Sequence, residues 1–243
     1  LSDLAPEGRV HRRVYTDADV FAAEMERIFR RAWVYVAHES QVSAPGDFVT
    51  AHIGDRSVIV SRHKDGEIYA FANRCTHRGM KVCAARQGSK KRFVCPYHGW
   101  AFATDGSLIG VPHGKGYNGK LDPKDPALAL AQVARIQSYR GFVFASDTPD
   151  GPSLTEYLGP MTRAIDNTVD RAPGGEIDIA GGGFRQRYMG NWKLHMENAN
   201  DLMHASIVHA SSVDSAQAVA DELEDGAEDH ALQMFKAAEP NSY

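Results

Sequence analysis

Near the N-terminus, apolar residues recur at the three- and four-residue spacing of one helix face. Phe21, Met25, Ile28 and Phe29 follow this spacing, and mostly charged or small residues lie between them. Thr16 or Asp17 is suited to cap the first turn of such a helix. The pattern therefore predicts one helix that begins at Thr16 or Asp17 and ends near residue 31.

From residue 33 to about residue 146 the pattern changes to short apolar runs separated by turn signals. Pro45-Gly46, Asp65-Gly66 and Asp105-Gly106 are dipeptides typical of tight turns. Many short strands joined by such turns predict a small β-sandwich or barrel. The predicted strands are Trp33–Ala37, Phe48–Ile53, Ser57–Arg62, Ile68–Ala72, Phe93–Cys95, Ala101–Ala103, Val133–Ser138 and Phe142–Ala145.

After Asp147 the pattern becomes mainly helical. The predicted elements are a helix over Leu154–Val169, one strand over Phe184–Met189, a helix-leaning segment Trp192–His209 and an acidic, Ala-rich helix or loop over Val213–Asp229. One strand is too few to form a sheet of its own. We therefore expect an α+β domain that is incomplete where the chain ends at Tyr243.

Composition and charge narrow the class of protein. The chain has 243 residues, of which 43% are hydrophobic and 24% charged, so a folded core is expected. A net charge of −4 gives no indication of a nucleic-acid-binding face, and no apolar stretch approaches the roughly 20 residues that span a bilayer. Because residues 1–13 lack the apolar core of a secretory signal, a cytoplasmic protein is predicted.

Two short motifs each combine a thiol with an imidazole. Cys75-Thr76-His77 and Cys95-Pro96-Tyr97-His98 are followed by Gly79 and Gly99, which permit unusual backbone angles. Two such loops facing each other would supply four ligands to a metal site. A zinc ion with two Cys and two His ligands is one interpretation, although zinc modules usually separate the two ligand types. A [2Fe–2S] cluster would use the mixed loops directly.

These motifs resemble the two signatures of the Rieske family, C-x-H and C-x2-H. The resemblance implies that Cys75, His77, Cys95 and His98 are the cluster ligands. Respiratory Rieske proteins carry an additional cysteine in each loop, where this chain has Met80 and Tyr97. The loops are therefore similar to the oxygenase or ferredoxin type, for which the reduction potential of the cluster is expected to be about −150 mV. Cys83 is interpreted as a small buried residue.

A second set of candidate ligands comprises Asp201, His204 and His209. On an ideal helix Asp201 and His204 share a face, whereas His204 and His209 lie about 140° apart. Both histidines would bind one metal only if the helix were broken between them. From spacing alone, solvated or core histidines are as good an interpretation as metal ligands.

The wider sequence around these residues resembles the iron motif of Rieske non-haem iron oxygenase α subunits. Asn191-Trp192-Lys193 and Glu197-Asn198 precede Asp201-x2-His204-x4-His209, as in that family. The resemblance implies that the two histidines join a later carboxylate on a mononuclear Fe(II). That carboxylate is expected beyond Tyr243, and the acidic residues between 214 and 229 are interpreted as a solvated face. The resemblance also implies that Asp201 is hydrogen-bonded to the partner subunit's His98.

The resemblance implies an α+β architecture in which a small all-β Rieske domain is inserted near the N-terminus of a helix-grip catalytic domain that is incomplete here. The predicted boundaries are an N-terminal helical segment at residues 1–34, the Rieske domain at 35–150, and the first part of the catalytic domain at 151–243. The sequence is interpreted as a truncated large subunit.

The implied function is that of the terminal oxygenase of an aromatic-ring-hydroxylating system. Electrons from NAD(P)H would reach the Rieske cluster through a reductase, with or without a ferredoxin, and would pass to Fe(II), where O2 is activated. The implied assembly is an α3 or α3β3 oligomer, and the substrate is predicted to be aromatic, with an aromatic carboxylate favoured. Residues predicted to line the substrate pocket are Asn198, Met203, Ser206 and Ile207.

Two alternatives from other classes stay open. An electron carrier would need only the Rieske half of the chain. A binding module stabilised by a structural zinc ion would need no iron. The sequence does not determine the substrate, the position of attack or whether one or two oxygen atoms are inserted.

Overall fold

The computed structural model describes residues 4–179, 181–182, 186–201 and 203–222. It forms two compact units. One contains the described residues from Phe21 to Gly182, and the other contains those up to Val20 and those from Gln186 onward. The domain boundaries predicted at residues 34 and 150 stay predictions.

The larger unit contains three antiparallel sheets. The strands are β1 (Val34–His38), β2 (Asp47–Ile53), β3 (Arg56–Arg62), β4 (Ile68–Ala72), β5 (Gln87–Ser89), β6 (Phe93–Val94), β7 (Ala101–Phe102), β8 (Leu108–Gly110), β9 (Arg135–Tyr139) and β10 (Phe142–Ser146). The first sheet has the strand order β1-β10-β9, the second β4-β3-β2-β5 and the third β6-β7-β8.

β3, a central strand of the second sheet, is buried on both faces, which explains its nearly continuous apolar sequence. In β3, Val58 and Val60 pack into a core shared with β1 and β10, whereas Ile59 between them packs into a core shared with the third sheet. Successive side chains of a strand point to opposite faces, so one strand serves both cores. The second core contains Phe48, Phe71, Phe93, Phe102, Trp100, Cys75 and Cys95 among its members. This core therefore packs directly beneath both cysteine motifs.

All eight predicted strands are confirmed to within two residues at each end, and two further strands were not predicted. Gln87-Gly88-Ser89 (β5) has no apolar residue, yet it pairs antiparallel with Asp47–Val49 of β2. Leu108–Gly110 (β8) pairs with β7. Both are short strands at the edge of a sheet, where backbone hydrogen bonds rather than side-chain patterning fix the conformation.

The N-terminal helix is less regular than predicted. It comprises α1 (Arg13–Thr16), α2 (Ala18–Glu24) and a π-helical turn over Met25–Phe29. The Asp17 side chain accepts a hydrogen bond from the Asp19 amide at 2.9 Å, so Asp17 acts as the cap at the start of α2.

The predicted helix over Leu154–Val169 is two helices, α3 (Leu154–Leu158) and α4 (Met161–Val169). Gly159 separates them with φ of 49°, and Pro160 cannot donate an intrahelical hydrogen bond. These two residues explain the break.

The smaller unit is helical in its described part. Its elements after residue 186 are α5 (Trp192–Asn200), α6 (Met203–Val208) and α7 (Ala210–Glu222). The predicted strand Phe184–Met189 is wrong for residues 186–189, which form no regular element. Phe184 and the residues after Glu222, which include much of the predicted acidic segment, lie outside the described residues. None of the described helices is long and apolar enough to cross a membrane.

Candidate metal centres

The two cysteine motifs form loops with the same backbone hydrogen bonds. In the first loop, the Cys75 amide donates to the Met80 carbonyl at 2.8 Å and the Gly79 amide donates to the Cys75 carbonyl at 2.8 Å. In the second loop, the Cys95 amide donates to Trp100 at 2.8 Å and the Gly99 amide donates to Cys95 at 3.0 Å. The sequence therefore places its two thiol–imidazole pairs on matching turns.

Each turn depends on a glycine in the left-handed region. Gly79 has φ of 73° and Gly99 has φ of 70°, a conformation that costs L-residues with a Cβ about 1–2 kcal/mol. A Cβ at Gly99 would also lie 2.9 Å from Cγ of Pro112. The glycines that follow the ligand motifs are thus required by backbone geometry.

The two cysteines present adjacent, buried thiols. Cys75 and Cys95 are free thiols, 2% and 3% exposed, and lie within hydrogen-bonding reach of each other. Burial raises the pKa of the Cys75 thiol, the His77 amide opposes this rise, and the neighbouring Cys95 thiol adds to it. Thiolates become favourable in such a place when a cation replaces the missing solvent.

The two histidines form the other half of the centre. The His77 and His98 rings lie 4.7 Å apart between centroids, at an interplanar angle of 71°. The Nδ1 atom of His98 is buried and has no hydrogen-bond partner among the described residues. Burial lowers the pKa of His98, and the nearby His77 and Arg78 lower it further, so the neutral imidazole that binds metals is favoured.

These donors fit a two-iron cluster. The thiols lie beside each other and the imidazoles lie beside each other, as required when two Cys bind one iron and two His bind the other. Within the described part of the chain, no group of three or more His, Cys, Asp or Glu side chains is arranged around a single ion. A two-iron cluster takes only two protein ligands on each iron. The assignment of the four ligands stays a prediction.

Aromatic side chains enclose the imidazoles. The Trp100 ring stacks on His77 with a centroid separation of 4.9 Å, and the Tyr97 ring lies 3.8 Å from that of His98. The Arg78 guanidinium lies 5.4 Å from the Tyr97 ring centroid, which is a cation–π contact between the two loops. Tyr97 therefore takes part in a non-covalent contact between the two loops.

Asn73 is a positioning residue that the sequence analysis missed. Its Oδ1 accepts hydrogen bonds from the Val82 and Cys83 amides at 3.1 and 2.8 Å, and its Nδ2 donates to the Cys83 carbonyl at 2.7 Å. Asn73 is 3% exposed and lies two residues before Cys75. It therefore fixes both ends of the first ligand loop, but no motif or apolar spacing marks it in the sequence.

We expect Asn73→Ala to lower the free energy of unfolding by about 2–4 kcal/mol, because two buried amides would lose their acceptor. Denaturant unfolding of the purified protein measures this change. Asn167→Ala is the control, since Asn167 is exposed in α4 and its replacement is expected to change stability by less than about 0.5 kcal/mol. Equal stability of the two variants would contradict the role given to Asn73.

In the smaller unit, an N-terminal residue is hydrogen-bonded to the helix that precedes the second candidate site. The Tyr15 hydroxyl donates to Oε1 of Glu197 at 2.6 Å, and the Asn191 side-chain amide donates to the Tyr15 carbonyl at 2.9 Å. The Asn191 side chain also accepts a hydrogen bond from the Lys193 amide at 3.0 Å and so caps α5. The hydrogen bond from the Tyr15 hydroxyl to Glu197 raises the pKa of Tyr15, and burial and the charge of Glu197 add to this rise.

The helix is broken around the second candidate site. α5 ends at Asn200, α6 covers Met203–Val208, and His209 lies in a turn before α7. The His204 and His209 rings are 5.4 Å apart between centroids. The breaks therefore bring together two imidazoles that a continuous helix would hold about 140° apart.

Asp201 begins the new helix and lies beside His204. Its Oδ1 accepts hydrogen bonds from the Met203 and His204 amides at 2.9 and 3.3 Å. Its Oδ2 lies 3.7 Å from Nδ1 of His204, which is buried and has no hydrogen-bond partner among the described residues. A buried, unpaired imidazole nitrogen next to a second imidazole fits a metal-binding role, which stays a prediction for His204 and His209.

The four predicted pocket residues lie on the helices of this site. Asn198 is exposed on α5, and Met203 and Ile207 are 58% and 77% exposed on α6. Ser206 belongs to α6, but its side chain lies outside the described part. Their role in binding substrate stays a prediction.

Comparison with known proteins agrees with this geometry. Residues 32–134 match the Rieske [2Fe-2S] domain family. Over 203 residues, the chain is 41% identical to the toluate 1,2-dioxygenase subunit alpha of Pseudomonas putida, covering 83% of this chain and 44% of that protein. Residues 32–134 thus belong to the Rieske [2Fe-2S] domain family, and the chain is similar to α subunits of Rieske oxygenases.

Two further proteins also match most of this chain over less than half of their own length. The chain is 38% identical to the 2-halobenzoate 1,2-dioxygenase large subunit of Burkholderia cepacia, covering 83% of this chain and 43% of that protein. Its structure matches naphthalene 1,2-dioxygenase from a Rhodococcus species with a TM-score of 0.75 and 39% identity, covering 84% of this chain and 46% of the other. The chain thus spans less than half the length of these relatives.

Proposed function

We propose that this chain is part of a terminal oxygenase that passes single electrons from a Rieske cluster to a mononuclear iron and hydroxylates an aromatic substrate. The observation that carries the proposal is the sorting of the first four donors into a thiol pair, Cys75 with Cys95, and an imidazole pair, His77 with His98. This sorting matches the two unlike irons of a Rieske centre.

The chain's own residues would bind and orient these groups. When bound, the cluster and the iron supply one-electron transfer and the activation of dioxygen. Cys75 and Cys95 would hold the buried side of the cluster, and His77 and His98 its more exposed side. The stacked Trp100 ring limits rotation of His77 and excludes water from one of its faces.

Asp201 is proposed to orient an imidazole across a subunit boundary. Its Oδ1 is occupied as the cap of α6, whereas the residue as a whole is exposed and the side chain is 51% accessible. A carboxylate that accepts a hydrogen bond from a metal-bound imidazole fixes the orientation of the ring and makes it a stronger ligand. The partner proposed for Asp201 is the partner subunit's His98, which requires the α3 or α3β3 assembly.

The substrate class is proposed from the relatives. Two of them are named for toluate and 2-halobenzoate, which are aromatic carboxylates, whereas the naphthalene enzyme is named for a hydrocarbon. We propose an aromatic carboxylate, with O2 as co-substrate and electrons supplied by an NAD(P)H reductase, through a ferredoxin where one is present. We also propose a cytoplasmic location.

The proposal predicts that Asp201→Asn slows transfer of electrons out of the Rieske centre. The variant keeps an oxygen to cap α6 but loses the charge, so we expect substrate-dependent reoxidation of the dithionite-reduced cluster to fall about 10- to 100-fold. Stopped-flow absorbance of the assembled enzyme measures this rate.

Asp201→Ala is the matched comparison, because it removes both the charge and the cap. It should show the same slow reoxidation and an additional loss of about 1 kcal/mol in stability. Reoxidation at the unmodified rate in Asp201→Asn would contradict the proposed role.

A further inference from the structure

Helix α5 leads directly into the second candidate site, yet none of its nine residues is buried. Asn200 ends this helix, and the next residue, Asp201, caps α6. A helix of fewer than about 12 residues is marginally stable by itself and usually depends on an apolar face that packs against the rest of the protein. Within the described part of the chain α5 buries no such face, so its position depends on other contacts.

Tyr15 contacts α5 at two separate points. Its backbone carbonyl accepts a hydrogen bond from Nδ2 of Asn191, the cap of the helix, at 2.9 Å. Its hydroxyl donates to Oε1 of Glu197 at 2.6 Å. Asn191 and Glu197 are six residues apart, which is about 9 Å along a helix axis. A single tyrosine is therefore bonded to the start of α5 and to its second half.

The contacts of the Tyr15 side chain involve charged groups. A hydroxyl–oxygen distance of 2.6 Å is typical of a hydroxyl that donates to an ionised carboxylate, and such a bond is roughly twice as strong as one between neutral groups. In addition, Nζ of Lys193 lies 5.8 Å from the centroid of the Tyr15 ring, which is a cation–π contact with the first turn of α5. Both contacts favour one orientation of Tyr15 relative to α5.

The short helix α1 holds Tyr15 from the other side. The Asp17 amide donates to the Arg13 carbonyl at 2.9 Å, and Nε of Arg13 donates to Oδ2 of Asp17 at 2.8 Å. These two bonds close the turn of backbone that carries Tyr15. Tyr15 therefore connects an ordered N-terminal turn to α5.

We propose that Tyr15 is a positioning residue for the second metal site. Because the chain is continuous, the place where α5 ends fixes the place of Asp201, and Asp201 in turn caps the helix that carries His204. Tyr15 holds α5 at two points and so fixes the start of this arrangement. The inference rests on the proposed function and adds a residue of the N-terminal segment to the site.

The test removes each partner of the hydroxyl–carboxylate bond separately. Tyr15→Phe deletes the hydroxyl and leaves the ring and the backbone carbonyl. Glu197→Leu deletes the acceptor, whereas Glu197→Gln keeps an acceptor oxygen without the charge. Tyr157→Phe is the matched control, since Tyr157 is an exposed tyrosine of α3 in the larger unit. The probe is Fe(II), titrated into protein whose Rieske cluster is already in place.

We expect Tyr15→Phe to raise the Kd for Fe(II) about three- to tenfold, as loss of one hydrogen bond predicts. Glu197→Leu should have the same effect, and the double variant should be no weaker than either single variant, because both substitutions remove one interaction. Glu197→Gln should raise the Kd less than about threefold. Tyr157→Phe should change it less than about twofold.

A second measurement needs no iron at the second site. Amide hydrogen exchange, followed by mass spectrometry, should become faster in residues 192–200 of Tyr15→Phe and Glu197→Leu, because local opening of α5 becomes easier. Exchange in β3, which lies in the larger unit, should not change. This difference distinguishes release of α5 from a general loss of stability.

Unchanged Fe(II) affinity in Tyr15→Phe would overturn the proposal, and faster exchange in α5 together with unchanged affinity would show a structural role only. Equal effects of Glu197→Gln and Glu197→Leu, or effects that multiply in the double variant, would also contradict the role of the Tyr15–Glu197 bond. Failure of the proposed function is a different result, because the unmodified protein itself would then bind no Fe(II) beyond its cluster.

Discussion

Cys95→Ser is expected to abolish binding of the [2Fe–2S] cluster. The Cys95 thiol is buried beside that of Cys75, and a serine hydroxyl at that place is a far weaker ligand for iron than a thiolate. The purified variant should therefore be colourless, with acid-labile sulfide reduced at least about tenfold and with the iron of the cluster lost relative to the unmodified protein.

Cys83→Ser is the matched control for this experiment. Cys83 is also a buried free thiol, 4% exposed, but its Sγ lies 3.7 Å from the Ala85 carbonyl and is not paired with another thiol. The variant should keep its cluster and lose only a modest amount of stability. Loss of the cluster from Cys83→Ser, or its retention in Cys95→Ser, would contradict the assignment of the thiol pair.

The second large effect is expected for His204→Ala. Nδ1 of His204 is buried and accepts or donates no hydrogen bond among the described residues, and the His204 ring lies 5.4 Å from that of His209. Removing one of two facing imidazoles should weaken binding of Fe(II) at this site at least about tenfold. Fe(II) titration of protein whose Rieske cluster is already in place measures this affinity, and the cluster absorbance should not change.

His195→Ala provides the comparison on the neighbouring helix. His195 is exposed on α5, so Fe(II) affinity should stay within about twofold of the unmodified protein. Equal affinity in His204→Ala and His195→Ala would favour the alternative of an electron carrier, which has no need of a second metal centre.

The two loops that carry the proposed ligands could be predicted from the sequence, because the residues that define each loop are close together in the chain. Each loop contains its own thiol, imidazole and left-handed glycine, and short strands with alternating or continuous apolar residues lead into it. The pairing of Cys75 with Cys95 and of His77 with His98 depends on how the sheets pack, and the spacing alone left zinc open as the metal.

The elements that sequence reasoning missed are those held by backbone or long-range contacts. β5 has no apolar residue and exists because β2 offers free backbone groups at its edge. Asn73 looks like any polar residue at a strand end, and only the fold shows its bonds to Val82 and Cys83. A Gly-Pro pair divided the helix predicted over Leu154–Val169, and this break could have been read from the residues.

The second site shows the opposite case. An ideal helix separates His204 from His209, and the resemblance to oxygenases was needed to favour a shared metal. In the structure, the capping of α6 by Asp201 and the turn at His209 bring the two rings to 5.4 Å, and the shared metal stays a prediction. A helix break at a non-glycine, non-proline position has no strong signal in a single sequence.

The central claim is that facing thiol and imidazole pairs hold a two-iron cluster, and metal and sulfide analysis of the unmodified protein tests it most directly. We predict two iron atoms and two acid-labile sulfides from the Rieske centre of each chain, with Cys95→Ser as the blank. Reduction should give the electron paramagnetic resonance signal of a mixed Cys–His [2Fe–2S] centre. Stoichiometric zinc without sulfide, in protein purified anaerobically from iron-supplemented cells, would contradict the account.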